Sequence, residues 1–309
     1  MRILLAGATG ALGIPLTRRL RESGHEVIGI TRTSEQARRL HALGAESVVG
    51  DVLERTALFD ALAGTTADVV VSELTALKKA PARHSAMAAT DRLRIEGTAH
   101  LLEAARRVGA RRFVTQSMVF GYGYRDFGDD VLTEGSPFGR LQGDAFDAHL
   151  AAMASNERQA FQAQGVDGVA LRYGLLYGGD IATVTRMLSR RSLPVARGGG
   201  ALAFVHHEDA AAATVAAIEH GSGGSAYNIV DDVAMSFREM LDIIADTRNV
   251  RRPYAVPRWV LRTAAPYAAM MMCGINMHVS NDRAARELGW RPAYPSVREG
   301  VRATAPLKS

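Results

Sequence analysis

Gly7, Gly10 and Gly13 fall at three-residue steps, directly after the apolar run Ile3 to Ala6. An apolar helical pattern of Leu12, Leu16 and Leu20 follows and stops at Gly24. A strand, a glycine turn and a helix in that order place backbone N–H groups at a helix N-terminus, where they receive a pyrophosphate. Gly7 turns the chain, Gly10 lets the backbone approach the phosphates, and Gly13 lets the helix sit close to the strand. Thr9, Ala11 and Leu12 complete the turn and count with the glycines as cofactor-binding positions. The chemistry implied is the binding of a dinucleotide. A second group of reactive side chains, His206, His207, Glu208 and Asp209, has the composition of a metal site. Adjacent residues at a strand end point in opposite directions, so these do not converge on one ion, and no metal is expected.

The elements that must position these residues alternate through the first 175 positions. Strands are predicted at Glu26–Thr31, Glu46–Val49, Asp68–Ser72, Arg112–Gln116 and Gly168–Arg172. Helices are predicted at Ser34–Leu43, with Ser34 as N-cap, at His84–Val108 and at Ala145–Gln164. This rhythm implies right-handed parallel crossovers. The fold class is α/β, a Rossmann-type doubly wound parallel sheet with a smaller C-terminal substrate lobe. Residues 1–175 plus about 204–230 form the dinucleotide-binding domain; about 176–203 plus 231–309 form the lobe. Phe204–His206 and Ala226–Val230 read as strands flanking an alanine-rich helix, Asp209–Glu219.

Composition narrows the classes. The chain has 309 residues, 47% apolar and 22% charged, ordinary for a globular protein with a sizeable core. No apolar run is long enough to cross a membrane. Met1 leads straight into the first strand, leaving no signal peptide. One cysteine, Cys273, excludes an internal disulfide framework. The expectation is a cytoplasmic protein. The net charge of +5 is spread over pairs such as Arg18-Arg19, Arg38-Arg39 and Arg106-Arg107, which read as solvated helix faces. Neither nucleic acid nor membrane is expected as a partner.

Gly7-Ala-Thr-Gly10-Ala-Leu-Gly13, Gly50-Asp51-Val52, Glu96-Gly97-Thr98, Leu171-Arg172-Tyr173-Gly174 and Glu287-Leu-Gly289-Trp290 together resemble the extended short-chain dehydrogenases/reductases, the epimerase/dehydratase group. The resemblance spans almost the whole chain. It implies that Asp51, with Val52, faces the adenine and that Tyr173 lies beside the nicotinamide. It also implies that Asp209 caps the helix that follows it, and that helix pairs make a homodimer.

The end of the second strand bears on the choice of dinucleotide. NAD binders place an acidic side chain there for the ribose 2′-OH, whereas NADP binders use arginine. Thr31-Arg32-Thr33-Ser34 carries no carboxylate, and Arg32 would fork onto a 2′-phosphate. NADP (NADPH) is the expected cofactor.

The resemblance also implies a tyrosine acid/base with a lysine four residues on, a serine after the fifth strand and an asparagine on the long helix. A phenol with pKa of about 10 needs such a nearby cation to act near neutrality. Only Lys78, Lys79 and Lys308 are lysines, and Leu74, Thr75 and Thr304 stand four residues before them. Counting back from Glu157 puts His149 at the tyrosine position and Met153 at the lysine position; Arg94 stands at the asparagine position. Ser117 matches the serine within one residue of register. The candidate catalytic residues are Ser117, His149, Tyr122 and Tyr124, since imidazole titrates near neutrality unaided. The methionine-rich stretch Val256–Val279 reads as a core helix or as the lid of a pocket for a small hydrophobic metabolite. Three functions stay open: an atypical NADP(H)-dependent oxidoreductase on a hydrophobic carbonyl or unsaturated metabolite, a redox-neutral isomerase or cyclase, and a non-catalytic NADP(H)-sensing regulator.

Overall fold

A computed structural model of the chain describes residues 1–77 and 80–304. Lys78, Lys79 and Lys308 lie outside these residues. The first half alternates β1 (Arg2–Ala6), α1 (Gly13–Glu22), β2 (Glu26–Thr31), α2 (Ser34–Ala42), β3 (Glu46–Val49), α3 (Arg55–Ala61) and β4 (Val69–Ser72). A long helical run follows, from a 3-10 turn at His84–Met87 through α4 (Ala88–Arg92) and a π turn at Leu93–Gly97 to α5 (Thr98–Arg107). Next come β5 (Arg112–Met118), a 3-10 turn at Val119–Tyr122, β6 (Asp126–Leu132), α6 (Asp147–Phe161) and β7 (Asp167–Tyr173). The rest comprises β8 (Leu175–Tyr177), α7 (Ile181–Ser189), β9 (Val195–Ala196), β10 (Phe204–His206), α8 (His207–His220), β11 (Ser225–Ile229), α9 (Phe237–Thr247) and β12 (Ala255–Val256). It ends with α10 (Arg258–Ala264), α11 (Pro266–Cys273), β13 (Asn276–Val279), α12 (Asp282–Glu287) and α13 (Val297–Ala303).

Seven strands form one sheet in the order β11-β7-β5-β4-β1-β2-β3, and every neighbouring pair is parallel. Strand alternation divides its side chains between two faces. Ile3 and Leu5 of β1 join Leu16 and Leu20 of α1 and the alanines of α8 on one face. Leu4 and Ala6 join Leu58 of α3 and Leu101 of α5 on the other. Burial on both faces explains the near-continuous apolar strands. The order reverses between β1 and β4, and such a switch point opens a crevice at the carboxyl ends of the strands, where ligands bind in this architecture.

A third core lies under the C-terminal elements, where Phe120, Tyr122, Phe204, Leu241, Tyr267 and Val297 meet. β10 leaves the main sheet to pair with β8, while β11 returns to its edge beside β7. The chain then returns once more: Ala284, Leu288 and Trp290 pack into the core of the α1 and α8 face.

Three local expectations are corrected. Thr33, not Ser34, caps α2, because Thr33 has extended backbone and its hydroxyl accepts from the Gln36 N–H. Asp209 does not cap its own helix; His206 does, accepting from the Glu208 N–H. The Asp209 carboxylate instead receives the N–H groups of Ala293 and Tyr294 at 3.0 and 2.9 Å, tying the C-terminal loop down. The long helix is not uniform, since the π turn inserts a residue and rotates the face that follows it.

Candidate active site

The glycine turn is built for close approach. Gly7 has φ +93°, and a Cβ there would meet the Glu73 carbonyl oxygen at 2.4 Å. A Cβ on Gly13 would lie 2.0 Å from the Gly7 carbonyl oxygen, so α1 packs on β1 with no room for a side chain. Gly10 differs: the only heavy atom within 4 Å of its Cβ position is the Gly7 carbonyl oxygen, at 3.2 Å. Its outer side, and that of Ala11, is open. No side chain caps α1 and no acidic residue occupies its first turn. The Ile14 N–H reaches the Gly10 carbonyl at 3.1 Å and Pro15 has no N–H, so among the described residues the Leu12 and Gly13 N–H groups are left without a backbone acceptor, and with the helix dipole they favour an anion. The residues present therefore fit a dinucleotide pyrophosphate.

Thr9 and Leu12 sit within this turn, Leu12 buried beneath it. Arg32 is exposed directly after β2. Among the described residues its guanidinium has no ion-pair partner, whereas the first carboxylate after it in the chain, Glu35, is held by Arg39 at 2.7 Å. The Asp51 carboxylate accepts the Leu53 N–H at 2.9 Å, which fixes the turn after β3. Val52 is buried, and its carbonyl accepts from His100 at 2.8 Å. Tyr173 is fully buried, with its hydroxyl 2.9 Å from Glu73 and 2.7 Å from Thr214. The phenol thus lies within the core of the α8 face.

The four candidate catalytic residues fall into two separate networks. Ser117, 1% exposed, donates its hydroxyl to Glu157 Oε1 at 2.6 Å. Glu157 receives Nε and Nη2 of Arg172 at 2.9 and 2.7 Å, and Arg172 Nη1 donates to the Tyr122 hydroxyl at 3.0 Å. Tyr122 in turn donates to Asn228 Oδ1 at 2.8 Å. These groups satisfy one another beneath the cleft, so the Ser117 and Tyr122 hydroxyls are committed within the core.

His149 and Tyr124 belong to the other network. His149, 3% exposed on α6, has Nδ1 2.6 Å from Asp91 Oδ2 and Nε2 3.0 Å from His84 Nδ1. Tyr124 packs on Phe146, with ring centroids 4.4 Å apart, and meets the Tyr267 ring of α11 edge-on at 6.4 Å. Arg94 reaches Asp91 at 3.5 Å. Burial pushes the Tyr124 phenol well above its ordinary pKa, with Tyr267 adding to the shift. Burial, followed by the neighbouring His149, lowers His84 below the usual imidazole value. The Tyr124 phenol is therefore a poor proton donor near neutral pH. Sequence reasoning missed Asp91, His84 and Tyr267. The Asp91–Arg94 spacing, one helical turn, was the available signal for the first. Beside this network lies a cleft of about 580 Å³, walled by the rings of Tyr124, Phe138 and Phe146 and by the charged side chains of Arg125, Arg140 and Asp144.

With an open phosphate turn at a sheet switch point, the chain belongs to the NAD dependent epimerase/dehydratase family, whose profile matches residues 3–230. It is 37% identical to the 3-diazoavenalumate denitrifying reductase of a Streptomyces species over 97% of this chain and 99% of that one. It is 25% identical to the 4-hydroxy-2-methyl-3-oxo-4-farnesyl-3,4-dihydroquinoline-1-oxide ketoreductase of Stigmatella aurantiaca, over 94% and 92% of the two chains. Among solved structures, Thermus thermophilus UDP-glucose 4-epimerase in complex with NAD shares the fold, with a TM-score of 0.79 at 21% identity over 98% of this chain and 97% of that one. No helix among the described residues is long and apolar enough to cross a membrane.

Proposed function

We propose that this protein is an NADPH-dependent reductase of a small, mostly apolar carbonyl or conjugated unsaturated molecule, and that it works without the tyrosine–lysine pair of its family. The observation that carries the reading is the open, uncapped glycine turn, with the unpaired Arg32 at the end of β2. Gly7 to Gly13 would hold the pyrophosphate, Asp51 the adenine amino group and Arg32 the 2′-phosphate. When bound, the dinucleotide supplies a hydride. The chain supplies orientation, an aromatic-walled cleft and a proton. The two relatives named above are reductases by name, which supports the class of reaction.

Titration with NADPH and NADH, followed by nicotinamide fluorescence, tests the cofactor. Charge-assisted hydrogen bonds contribute about 1.5–3 kcal/mol. Arg32→Ala should therefore weaken NADPH about 10- to 150-fold and leave NADH almost unchanged. Equal losses for both nucleotides would remove Arg32 from the 2′-phosphate. Gly10→Ala should fold, because only one oxygen crowds the new methyl group, yet bind NADPH at least about tenfold more weakly. Gly13→Ala should fail to fold, because its methyl group overlaps the Gly7 carbonyl.

A second reading is favoured by the 37% identical relative: the electrophile is a diazo compound. Where that compound is an arenediazonium ion, hydride adds to the ring carbon bearing nitrogen and the C–N bond breaks with its electron pair leaving on dinitrogen, so the step balances without a proton. No oxygen needs a proton, so the tyrosine–lysine pair would be dispensable. NADPH oxidation with 9,10-phenanthrenequinone and with a benzenediazonium salt separates the two readings.

A further inference from the structure

His84 in the 3-10 turn that opens the long helical run and Asp91 in α4 of the same run meet His149 of α6 in one hydrogen-bonded line. Asp91 Oδ2 lies 2.6 Å from His149 Nδ1, and His149 Nε2 lies 3.0 Å from His84 Nδ1. The two imidazoles are parallel within 7° with centroids 5.2 Å apart. With the nitrogens 3.0 Å apart, the N···N line runs close to both ring planes, along the lone-pair direction. An ionised carboxylate only accepts, so His149 Nδ1 carries a proton.

Two arrangements then satisfy the line. In one, His149 is an imidazolium whose Nε2–H donates to His84 Nδ1, and His84 carries its proton on Nε2. In the other, both rings are neutral and His84 donates from Nδ1 to His149. The two differ by one proton, and that proton leaves or enters at His84 Nε2. The histidine that resemblance alone singles out, His149, is sealed in, while the partly exposed His84 is the open end.

We propose that Asp91, His149 and His84 form a proton relay that delivers through His84 Nε2 to the oxygen of a substrate carbonyl. This rests on the reductase reading above. The reduced nicotinamide provides the electron pair as hydride to the carbonyl carbon, and the C=O π pair moves onto oxygen. His84 Nε2 gives its proton to that oxygen, and His84 Nδ1 takes the proton from His149 Nε2. His149 ends neutral, and Asp91 stays ionised throughout. The product is an alcohol, with two electrons and two hydrogens gained. Asp91 thus offsets the imidazolium charge of the line.

The charged and titratable groups facing the relay are few among the described residues. Arg94 lies beside Asp91. Asp144, from the loop before α6, raises the proton affinity of His84, while burial and His149 lower it more. The phenols of Tyr124 and Tyr267 lie within electrostatic reach of Asp91 and Arg94.

The test begins without turnover, by proton–nitrogen NMR of the full chain carrying ring-labelled histidine. A strongly deshielded imidazole N–H should be present and should vanish in both Asp91→Asn and His149→Gln. The midpoint of His84 should fall by about one pH unit in Asp91→Asn, a tenfold change in proton affinity. A His84 that titrates identically in all three proteins overturns the relay. Turnover with NADPH and 9,10-phenanthrenequinone then tests delivery. His84→Gln should keep its NADPH affinity, lose about 10²- to 10⁴-fold in kcat and lose the decline of wild-type kcat with rising pH. Imidazole should restore part of the rate to His84→Ala. If wild type oxidises NADPH and His84→Gln matches its rate and pH profile, delivery through His84 is wrong and the reductase reading stands. If wild type binds NADPH and oxidises it with neither probe, the reductase reading fails and delivery fails with it.

Discussion

Glu157→Ala is expected to cost about 3–5 kcal/mol of folding stability, the range for removing one partner of a buried ion pair. That is a large share of the ~5–15 kcal/mol by which a domain is stable. The Glu157 and Arg172 side chains are only 4% and 8% exposed and meet through two parallel hydrogen bonds. Without the carboxylate, the guanidinium keeps one hydroxyl partner, Tyr122, and the rings of Tyr122 and Phe138 about 5 Å away. The Ser117 hydroxyl loses its acceptor at the same time. The pair links β5, α6 and β7, and through Tyr122 it reaches Asn228 on β11. It therefore holds together the sheet edge on which the cleft is built. Urea denaturation of Glu157→Ala, Arg172→Met and the double variant checks this. The double variant should recover much of the loss, because the cost lies in the unpaired charge. A loss below about 1 kcal/mol in Glu157→Ala, the range of an exposed pair, would contradict it.

The same network shows where the sequence stopped being informative. The glycine turn and β1, β2 and β3 could be read to the residue or nearly so, because each couples a local backbone requirement to a two-residue or helical period. β8, β9 and β12 run two or three residues and pair with partners far along the chain, so no local period marks them. β6 is rich in exposed carboxylates and pairs only with β13, which hides it from a hydrophobicity argument. For the site, resemblance reached His149 through its spacing from Glu157, but nothing local joins it to Asp91 or His84. Those lie 58 and 65 residues away in the chain. Ser117 and Tyr122 satisfy the same chemical description as substrate-facing groups. Only the tertiary position of Arg172 and Glu157 decides that their hydroxyls are spent within the core.

Raising the pH from about 5 to 8 is expected to destabilise the protein, and Glu73→Gln should remove a large part of that dependence. Glu73 follows β4 and is buried; Oε1 accepts from the Tyr173 hydroxyl at 2.9 Å, while Oε2 has no partner among the described residues. Burial, only partly opposed by that hydrogen bond, raises its pKa from 4.5 to about 8. The folded protein thus keeps a proton that the unfolded chain releases above pH 4.5. Folding takes up a proton between these values, so stability falls as pH rises through the window and levels off above about 8. Each tenfold difference in proton affinity corresponds to about 1.4 kcal/mol, which makes the total on the order of several kcal/mol. Asp231 acts in the same direction: burial, only partly opposed by the neighbouring Tyr177 hydroxyl, raises it from 3.8 to about 8. Glutamine at 73 keeps the shape and an acceptor for Tyr173 but has no charge to bury. Urea midpoints measured at intervals from pH 5 to 9 should fall less steeply in Glu73→Gln and in Asp231→Asn than in wild type. The Glu73→Gln protein should also be the more stable one above pH 8. Parallel curves for wild type and Glu73→Gln would mean that Glu73 is ionised in the folded state, stabilised by a cation or water reaching Oε2.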